Sequence, residues 1–257
     1  MRIEGRTVII TGASGGLGAA LAHHYARSGT NLGLIARRNA ELERFARDFP
    51  GRCAFHAADV RDSAAMRRAA TEFMTRHGVP EVVIANAGVS IGTLTELAED
   101  EQAFRDVFDI NVIGMVNTFQ PYIAAMRERG HGVLAGIASV AGYRGLPGSG
   151  AYSASKAAAI SYLESLRVEL RGSGITVITI CPGYIGTAMT AHNPYRMPFM
   201  MTAAAAARKI AAIIARRKTY AVIPWQMAVV ARLMHVLPRW IYDPLAAKSG
   251  RKPRRKT

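Results

Sequence analysis

The chain has 257 residues, of which 50% are hydrophobic and 20% are charged; this composition is typical of a folded globular protein and excludes a largely disordered one. The formal net charge of +15 suits an anionic partner, but no helix-turn-helix, zinc-finger or aromatic RNA-binding motif is present, so no nucleic-acid partner is expected. The two isolated cysteines, Cys53 and Cys181, predict reduced structural thiols and a cytoplasmic location.

The N-terminal residues lack the pattern of a signal peptide, because their apolar run is short and leads directly into a glycine-rich motif. No stretch of about 18 uncharged apolar residues occurs, so no membrane-spanning helix is predicted. Peripheral contact with an anionic membrane, at its inner face, stays open as an expectation, since the C-terminal segment is both basic and apolar.

Short β-branched runs alternate with longer helical stretches along the chain. Strands are predicted over 7–11, 31–36, 52–57, 81–86, 132–137 and 175–181, and helices over 17–28, 40–49, 63–77, 100–129 and 151–171. This alternation indicates parallel βαβ units with right-handed crossovers. We therefore predict an α/β fold, a doubly wound parallel sheet of the Rossmann type, in a single domain spanning residues 1–247.

Residues 190–247 are predicted to be a lid and a helical extension of this domain. The stretch 195–201 contains three methionines and a phenylalanine, which suit an adaptable substrate lid or ordinary packing. An alanine-rich helix is predicted over 202–217, and a further helix opens at Pro224. Residues 248–257 are predicted to be a disordered basic tail.

The helix after Pro224 carries two apolar stripes. One consists of Trp225, Val229, Leu233 and Val236, and the other of Met227, Val230, Met234 and Leu237. This much apolar surface is expected to cap a substrate pocket, to form a subunit interface or to lie in a membrane surface.

A glycine-rich turn joins the first strand to the first helix. Gly12, Gly16 and Gly18 have the spacing GxxxGxG, with Ser14 and Leu17 between them. Such a turn brings backbone N–H groups and a helix N-terminus to the phosphates of a dinucleotide. An ordinary tight turn is the alternative, but the position at the first βα junction favours the dinucleotide.

The end of the second strand indicates which dinucleotide binds. An acid there would hold the ribose 2′-hydroxyl of NAD, whereas Ala36 is followed by Arg37 and Arg38. A guanidinium group pairs with a 2′-phosphate, so the predicted cofactor is NADP(H). The alternative is that both arginines only face solvent.

Tyr152 and Lys156 lie four residues apart at the start of a predicted helix, on one face of it. The ammonium group is expected to lower the pKa of the phenol, which is otherwise near ~10. Ser139 follows the fifth strand, at the edge of the sheet where ligands bind. Taken alone, a tyrosine and a lysine at this spacing are more often a surface pair.

The sequence resembles the short-chain dehydrogenase/reductase family from about Arg2 to Met189. The motifs that carry the resemblance, in order, are TGASGGLG (11–18), Asp59-Val60, NAG (Asn86, Ala87, Gly88), Asn111, Ser139, YSASK (152–156) and PGYIGT (182–187). One departure is visible, because Ala85 stands where many relatives have asparagine. Family members that reduce carrier-bound acyl chains often end in a short strand that closes on a Val-Asp-Gly-Gly segment, and this chain is expected not to.

The resemblance implies a role for each matched position. Tyr152 would be the general acid and base, Lys156 its partner and a ribose ligand, Ser139 the substrate-orienting hydroxyl, and Asn111 the residue that keeps a water beside the lysine. The implied cofactor contacts are Asp59 with the adenine amino group, Asn86, Ala87 and Gly88 along the adenine ribose, and Pro182, Gly183, Ile185 and Thr187 around the nicotinamide.

The resemblance also implies hydride transfer between NADP(H) and a carbonyl or alcohol carbon, without a metal. The expected substrate is small and apolar, similar to a lipid, a steroid or a ketone, and the expected assembly is a homodimer or homotetramer. The alternative is a cofactor-binding membrane-surface or scaffold protein with little turnover.

Overall fold

The computed structural model describes residues 7–248 and 250–254. Seven parallel strands form one sheet in the order β3-β2-β1-β4-β5-β6-β9. The strands are β1 (Thr7–Thr11), β2 (Asn31–Ala36), β3 (Cys53–Ala57), β4 (Val82–Ala85), β5 (Gly132–Ile137), β6 (Ile175–Pro182) and β9 (Tyr220–Ile223), while β7 (Ile185–Gly186) and β8 (Met201–Thr202) form a separate small ladder.

Helices cover both faces of the sheet and divide the core into two layers. The helices are α1 (Gly16–Arg27), α2 (Asn39–Asp48), α3 (Ser63–His77), α4 (Glu101–Phe108), α5 (Gly114–Arg129), α6 (Gly150–Glu169), α7 (Ala203–Ala215), α8 (Trp225–Val236) and α9 (Arg239–Ala247). One layer is built mainly by α1, α2 and α7, and the other by α3, α5 and α6. Among the described residues, no helix is long and apolar enough to cross a membrane.

The strand order reverses between β1 and β4, and this is where a doubly wound sheet opens a crevice at the carboxyl ends of its strands. The predicted α/β class and parallel sheet are confirmed. Strand β1 is buried at every position, which is why its sequence reads as a continuous apolar run rather than an alternating one.

The predicted helical region over 100–129 is not a single α-helix. A π-helical turn, Asp109–Ile113, separates α4 from α5 and contains Asn111. The predicted helical region is confirmed, since α4, the π turn and α5 follow one another without a break. The π turn within it was not predicted, because it adds a single residue and leaves the apolar periodicity on either side almost unchanged.

The edge strand β9 corrects the expectation that no closing strand follows β6. It pairs in parallel with β6, with Thr179 opposite Tyr220 and Pro182 opposite Ile223. The closing strand keeps its place in the sheet without the Val-Asp-Gly-Gly segment, because Tyr-Ala-Val-Ile itself has the β-branched and aromatic character of a strand.

Residues 250–254, which belong to the predicted tail, contact the rest of the domain. Gly92 donates a backbone hydrogen bond to Pro253 (3.0 Å), and Arg254 pairs with Asp100 (2.7 Å) and Glu99 (3.0 Å). Composition alone could not predict this, because the two acids are distant in sequence. Residues 249 and 255–257 of the predicted tail lie outside the described residues.

Candidate active site

A single cavity of about 670 Å³ lies at the carboxyl ends of the central strands and contains both the predicted cofactor residues and the predicted catalytic residues. Its lining includes Gly12, Ser14, Gly16, Leu17, Arg37, Arg38, Asp59, Val60, Asn86, Ala87, Gly88, Ser139, Tyr152, Lys156, Pro182, Gly183, Ile185 and Thr187. Two predicted site residues, Gly18 and Asn111, do not line it; both are buried directly behind it.

The glycine-rich turn leaves no room for side chains at two positions. A Cβ on Gly12 would lie 2.9 Å from the Ala87 Cα, and Gly12 has a φ of +68°. A Cβ on Gly18 would lie 2.2 Å from the Gly12 carbonyl oxygen. The first residue of α1 follows Gly15, which provides no side-chain cap. The N–H groups at this helix end therefore face the cavity and suit a phosphate group.

The turn is braced against β4 through Thr11. The Thr11 hydroxyl accepts hydrogen bonds from the backbone N–H groups of Asn86 (3.1 Å) and Ala87 (3.2 Å). The Asn86 amide in turn donates to the Thr11 carbonyl at 2.9 Å. These bonds hold the ends of β1 and β4 at a fixed separation, so the floor of the cavity is rigid.

The two arginines after β2 are in different situations. Arg38 donates to the Ser14 carbonyl (2.9 Å) and forms an ion pair with Glu41 (3.0 Å), so its guanidinium is tied to the glycine-rich turn. Arg37 is exposed and lines the cavity, and in the described part of the chain nothing forms a hydrogen bond or ion pair with it. Arg37 acts on the Asp59 carboxylate only through its charge, so its guanidinium donors stay open to a ligand in the cavity.

Asp59 also lines the cavity, but its carboxylate already has a partner. The Arg61 guanidinium binds it at 2.8 Å and 3.1 Å, and the Arg61 backbone N–H donates to it at 3.0 Å. These hydrogen bonds hold the pKa of Asp59 below its usual range. The carboxylate is thus ionised at neutral pH and remains an acceptor at the edge of the cavity.

Ser139 caps a short 3-10 turn at the end of β5. Its hydroxyl accepts a hydrogen bond from Ala141 N (3.1 Å) and is buried, with 7% of the residue exposed. The Pro182 carbonyl lies 3.5 Å away on β6. Two neighbouring strands therefore fix the orientation of this hydroxyl.

Lys156 is buried next to Tyr152 in the first turns of α6. Its ammonium donates to the Ile137 carbonyl at 2.9 Å and lies 5.9 Å from the centre of the Tyr152 ring. Burial lowers the pKa of Lys156 to about 8.

The pKa of Tyr152 is raised by burial, and a hydrogen bond with Ser139 partly opposes this shift. The lowered tyrosine pKa predicted from the Tyr–Lys spacing is therefore wrong in direction for this arrangement. The reason is that the lysine bonds to a backbone carbonyl while desolvation acts directly on the phenol.

Asn111 is fully buried in the π turn between α4 and α5. Its amide oxygen accepts from Val89 N (2.9 Å), and its amide nitrogen donates to Val89 O (3.0 Å) and to the Ser155 hydroxyl (3.0 Å). Asn111 thus ties the loop after β4 to the residue next to Lys156 on α6.

One stripe of α8 closes the other end of the cavity. Met227, Val230 and Met234 line it, whereas the other predicted stripe, which begins at Trp225, points away and is exposed. The segment 187–200 between β7 and β8, called the lid segment below, adds Tyr195 and Asn193. This end of the cavity is mainly apolar.

Sequence reasoning missed several lining residues at the apolar end. Leu146 and Ser149 precede α6, Tyr184 follows β6, and Lys252 comes from the C-terminal residues that were expected to be disordered. The first two lie between Ser139 and Tyr152 in the sequence, and that position could have indicated them. No sequence signal indicated Lys252.

Comparisons with known proteins cover most of the chain. A family model described as short chain dehydrogenase matches residues 6–196. An uncharacterized oxidoreductase of Myxococcus xanthus is 37% identical over 247 residues, covering 95% of this chain and 97% of that protein. Oxidoreductase UcpA of Salmonella typhimurium is 37% identical over 193 residues, covering 73% of this chain and 72% of that protein.

Solved structures share the fold. An alcohol dehydrogenase from Thermococcus sibiricus, in complex with 5-hydroxy-NADP, superposes with a TM-score of 0.76 at 23% identity, covering 85% of this chain and 95% of that chain. A short-chain dehydrogenase from Streptomyces avermitilis superposes with a TM-score of 0.76 at 24% identity, covering 95% and 94%. The family model, the relatives and the shared fold agree, and the chain belongs to the short-chain dehydrogenase family of oxidoreductases.

Proposed function

We propose that this oxidoreductase uses NADP(H) to interconvert a carbonyl and an alcohol group on an apolar substrate. The observation that carries the proposal is the continuity of one cavity, in which a phosphate-binding turn and an arginine with open donors lie at one end. Ser139, Tyr152 and Lys156 lie within it, and an apolar chamber closes the other end. A dinucleotide extended through this cavity would bring its reactive ring to the tyrosine.

The residues present fit NADP. Free N–H groups at the start of α1 suit the diphosphate. Because Gly12 and Gly18 carry no side chain, the turn can pack closely against the residues after β4, where a Cβ would not fit. Arg37 would bind the 2′-phosphate, because it faces the cavity without a partner among the described residues. The carboxylate of Asp59 is at hand for the adenine amino group.

When bound, the nicotinamide supplies or accepts the hydride. In reduction, the Tyr152 phenol donates a proton to the substrate oxygen. The Ser139 hydroxyl donates a hydrogen bond to the same oxygen and stabilises its developing charge. Lys156 holds the ribose hydroxyls, while Asn111 fixes the loop after β4 against α6.

A panel of medium-chain ketones, aldehydes and secondary alcohols, assayed by the change in NADPH absorbance, tests the proposal. We expect turnover of apolar ketones with NADPH and much slower turnover with NADH. Absence of turnover for every carbonyl and alcohol tested would contradict the proposed reaction.

A second candidate function is contact with an anionic membrane, in which the cavity would matter less than the surface. It is favoured by the exposed stripe of α8 and by Trp240 on α9, which is 78% exposed. Exposed arginines at 232 and 239 lie among these residues. Tryptophan beside cationic side chains suits the interface of an anionic bilayer, although a subunit interface of a dimer or tetramer would use the same apolar face.

A further inference from the structure

The C-terminal strap, residues 250–254, lies along the loop that follows β4. Gly92 pairs with it through a backbone hydrogen bond to Pro253 (3.0 Å) and a parallel bridge with Arg254. The Arg254 guanidinium lies 2.7 Å from an oxygen of Asp100, which is only 5% exposed. Backbone pairing and an ion pair with a buried acid therefore hold the strap in one place.

The strap carries Lys252 into the cavity that contains Ser139 and Tyr152. From the loop after β4, the Lys252 side chain reaches across to the lid segment, where its ammonium lies 3.4 Å from the Met189 carbonyl oxygen. Lys252 is the only cation that the described strap contributes to the cavity lining.

The Lys252 ammonium has spare hydrogen-bonding capacity. Of its three donors, one is used by Met189, and no described acid lies within ion-pair distance of it. The one acid that lines the cavity among the described residues is Asp59, which is paired with Arg61. Burial lowers the pKa of Lys252, and an anionic group beside the ammonium would offset this desolvation.

The neighbours of Lys252 in the cavity are mainly apolar. Tyr195 of the lid segment, Leu146 and the cavity-lining stripe of α8 line the same cavity as Lys252. A ligand that satisfies this end has an apolar body and one anionic group. A cation in partly apolar surroundings binds such a group with a charge-assisted hydrogen bond.

We propose that Lys252 is a specificity-determining residue that binds a carboxylate or similar anionic group of the substrate. This inference rests on the proposed function, because it concerns the substrate of the same cavity. Arg254 acts as a positioning residue, since it holds the strap but does not line the cavity.

The test measures binding of octanoate and of its neutral isostere octanamide to the full-length protein by calorimetry, with and without NADPH. We expect octanoate to bind about tenfold more tightly than octanamide. In Lys252→Met the ratio of octanoate affinity to octanamide affinity should fall to about one, and in Lys252→Arg this ratio should return toward the wild-type value. Arg254→Ala should lower the ratio as Lys252→Met does, whereas the strap control Arg251→Met, at an exposed position, should keep it.

Equal binding of the two probes, binding of neither, or a preference that survives in Lys252→Met would overturn the inference. So would a Lys252→Met protein that loses NADPH affinity and keeps its octanoate preference, because the anion held by Lys252 would then be the cofactor diphosphate. Binding does not require turnover, so failure of the ketone panel would reject the proposed reaction separately.

Discussion

At the scale of single residues, Lys156 combines a positive charge with burial. Its ammonium is 2.9 Å from the Ile137 carbonyl, and burial lowers its pKa to about 8. A buried cation costs stability whenever it is protonated, so this residue opposes folding at neutral pH. The role proposed for it in the reaction and in cofactor binding would explain why a charge that the fold does not need lies there.

Lys156 predicts a pH dependence of stability. The native pKa lies below the unfolded value of 10.5, so the unfolded chain binds more protons from about pH 8 to pH 10.5, and stability rises with pH across that window. Relative to Lys156→Met, the wild type should gain about 3 kcal/mol of unfolding free energy between neutral pH and the top of this window. Urea unfolding at several pH values measures it.

The exposed lysine of α7 provides the control for this measurement. Lys209→Met should show no comparable change relative to the wild type, because its ammonium stays in water. A wild type whose stability relative to Lys156→Met stays flat, or falls, from neutral to alkaline pH would show that Lys156 is not held at a lowered pKa.

Arg37 predicts the choice between the two nicotinamide cofactors. Arg37→Ala should weaken NADPH binding by at least about tenfold and leave NADH binding within about threefold, because only NADPH carries the 2′-phosphate. Fluorescence titration of both cofactors measures this. Arg44→Ala, which removes an exposed arginine of α2 outside the cavity, should change neither. Equal weakening of both cofactors by Arg37→Ala would contradict the role given to Arg37.

At the scale of secondary-structure elements, the first residues of α1 pack against the backbone of the glycine-rich turn beneath the proposed cofactor site. Gly18→Ala would put a methyl group 2.2 Å from the Gly12 carbonyl oxygen and 2.6 Å from the Asn86 amide nitrogen. The turn must move to relieve this contact. We expect NADPH affinity to fall by at least about tenfold, since the phosphate-binding N–H groups move with the turn.

Gly150→Ala is the matched control for that change. Gly150 opens α6, and nothing lies within 4 Å of an added methyl group there. It should leave NADPH affinity unchanged. Normal affinity in Gly18→Ala would show that the close approach of the two glycines does not shape the phosphate site.

The strands of the sheet can be predicted from the sequence, whereas two local features that shape the site cannot. Strands β1, β2 and β5 agree residue for residue with the predicted ranges, because all three are short and almost entirely buried runs of mainly apolar residues. The π turn around Asn111 and the strap around Lys252 were not predicted. Both depend on side-chain partners that are distant in sequence, Ser155 for the first and Asp100 for the second.

At the scale of the whole molecule, α8 separates the cavity from an exposed apolar face. Met227 is buried on the cavity side, while Trp225 is 68% exposed on the other. Together with the net charge of +15, this face suits an anionic bilayer. The second candidate function therefore depends on a surface that is physically separate from the reacting groups.

Because of this face, we expect the protein to sediment with vesicles that contain phosphatidylglycerol and to sediment little with purely zwitterionic vesicles. Replacing both exposed tryptophans, Trp225→Ser with Trp240→Ser, should reduce the sedimented fraction by at least about half. Light scattering measures the molecular mass of the same variant and so tests whether the face is a subunit interface instead. A lower molecular mass, with no vesicle binding by the wild type, would identify the face as a subunit interface and reject the membrane role.

In the proposed reaction the Tyr152 phenol transfers the proton to the substrate oxygen, and Tyr152→Phe removes that proton donor. Removing a positioned acid from the reacting oxygen should lower the turnover of an apolar ketone by at least about a thousandfold. NADPH binding, measured by fluorescence titration, should stay within about threefold. Tyr162→Phe, a change on the same helix outside the cavity, should keep wild-type turnover. Wild-type turnover in Tyr152→Phe would contradict the account.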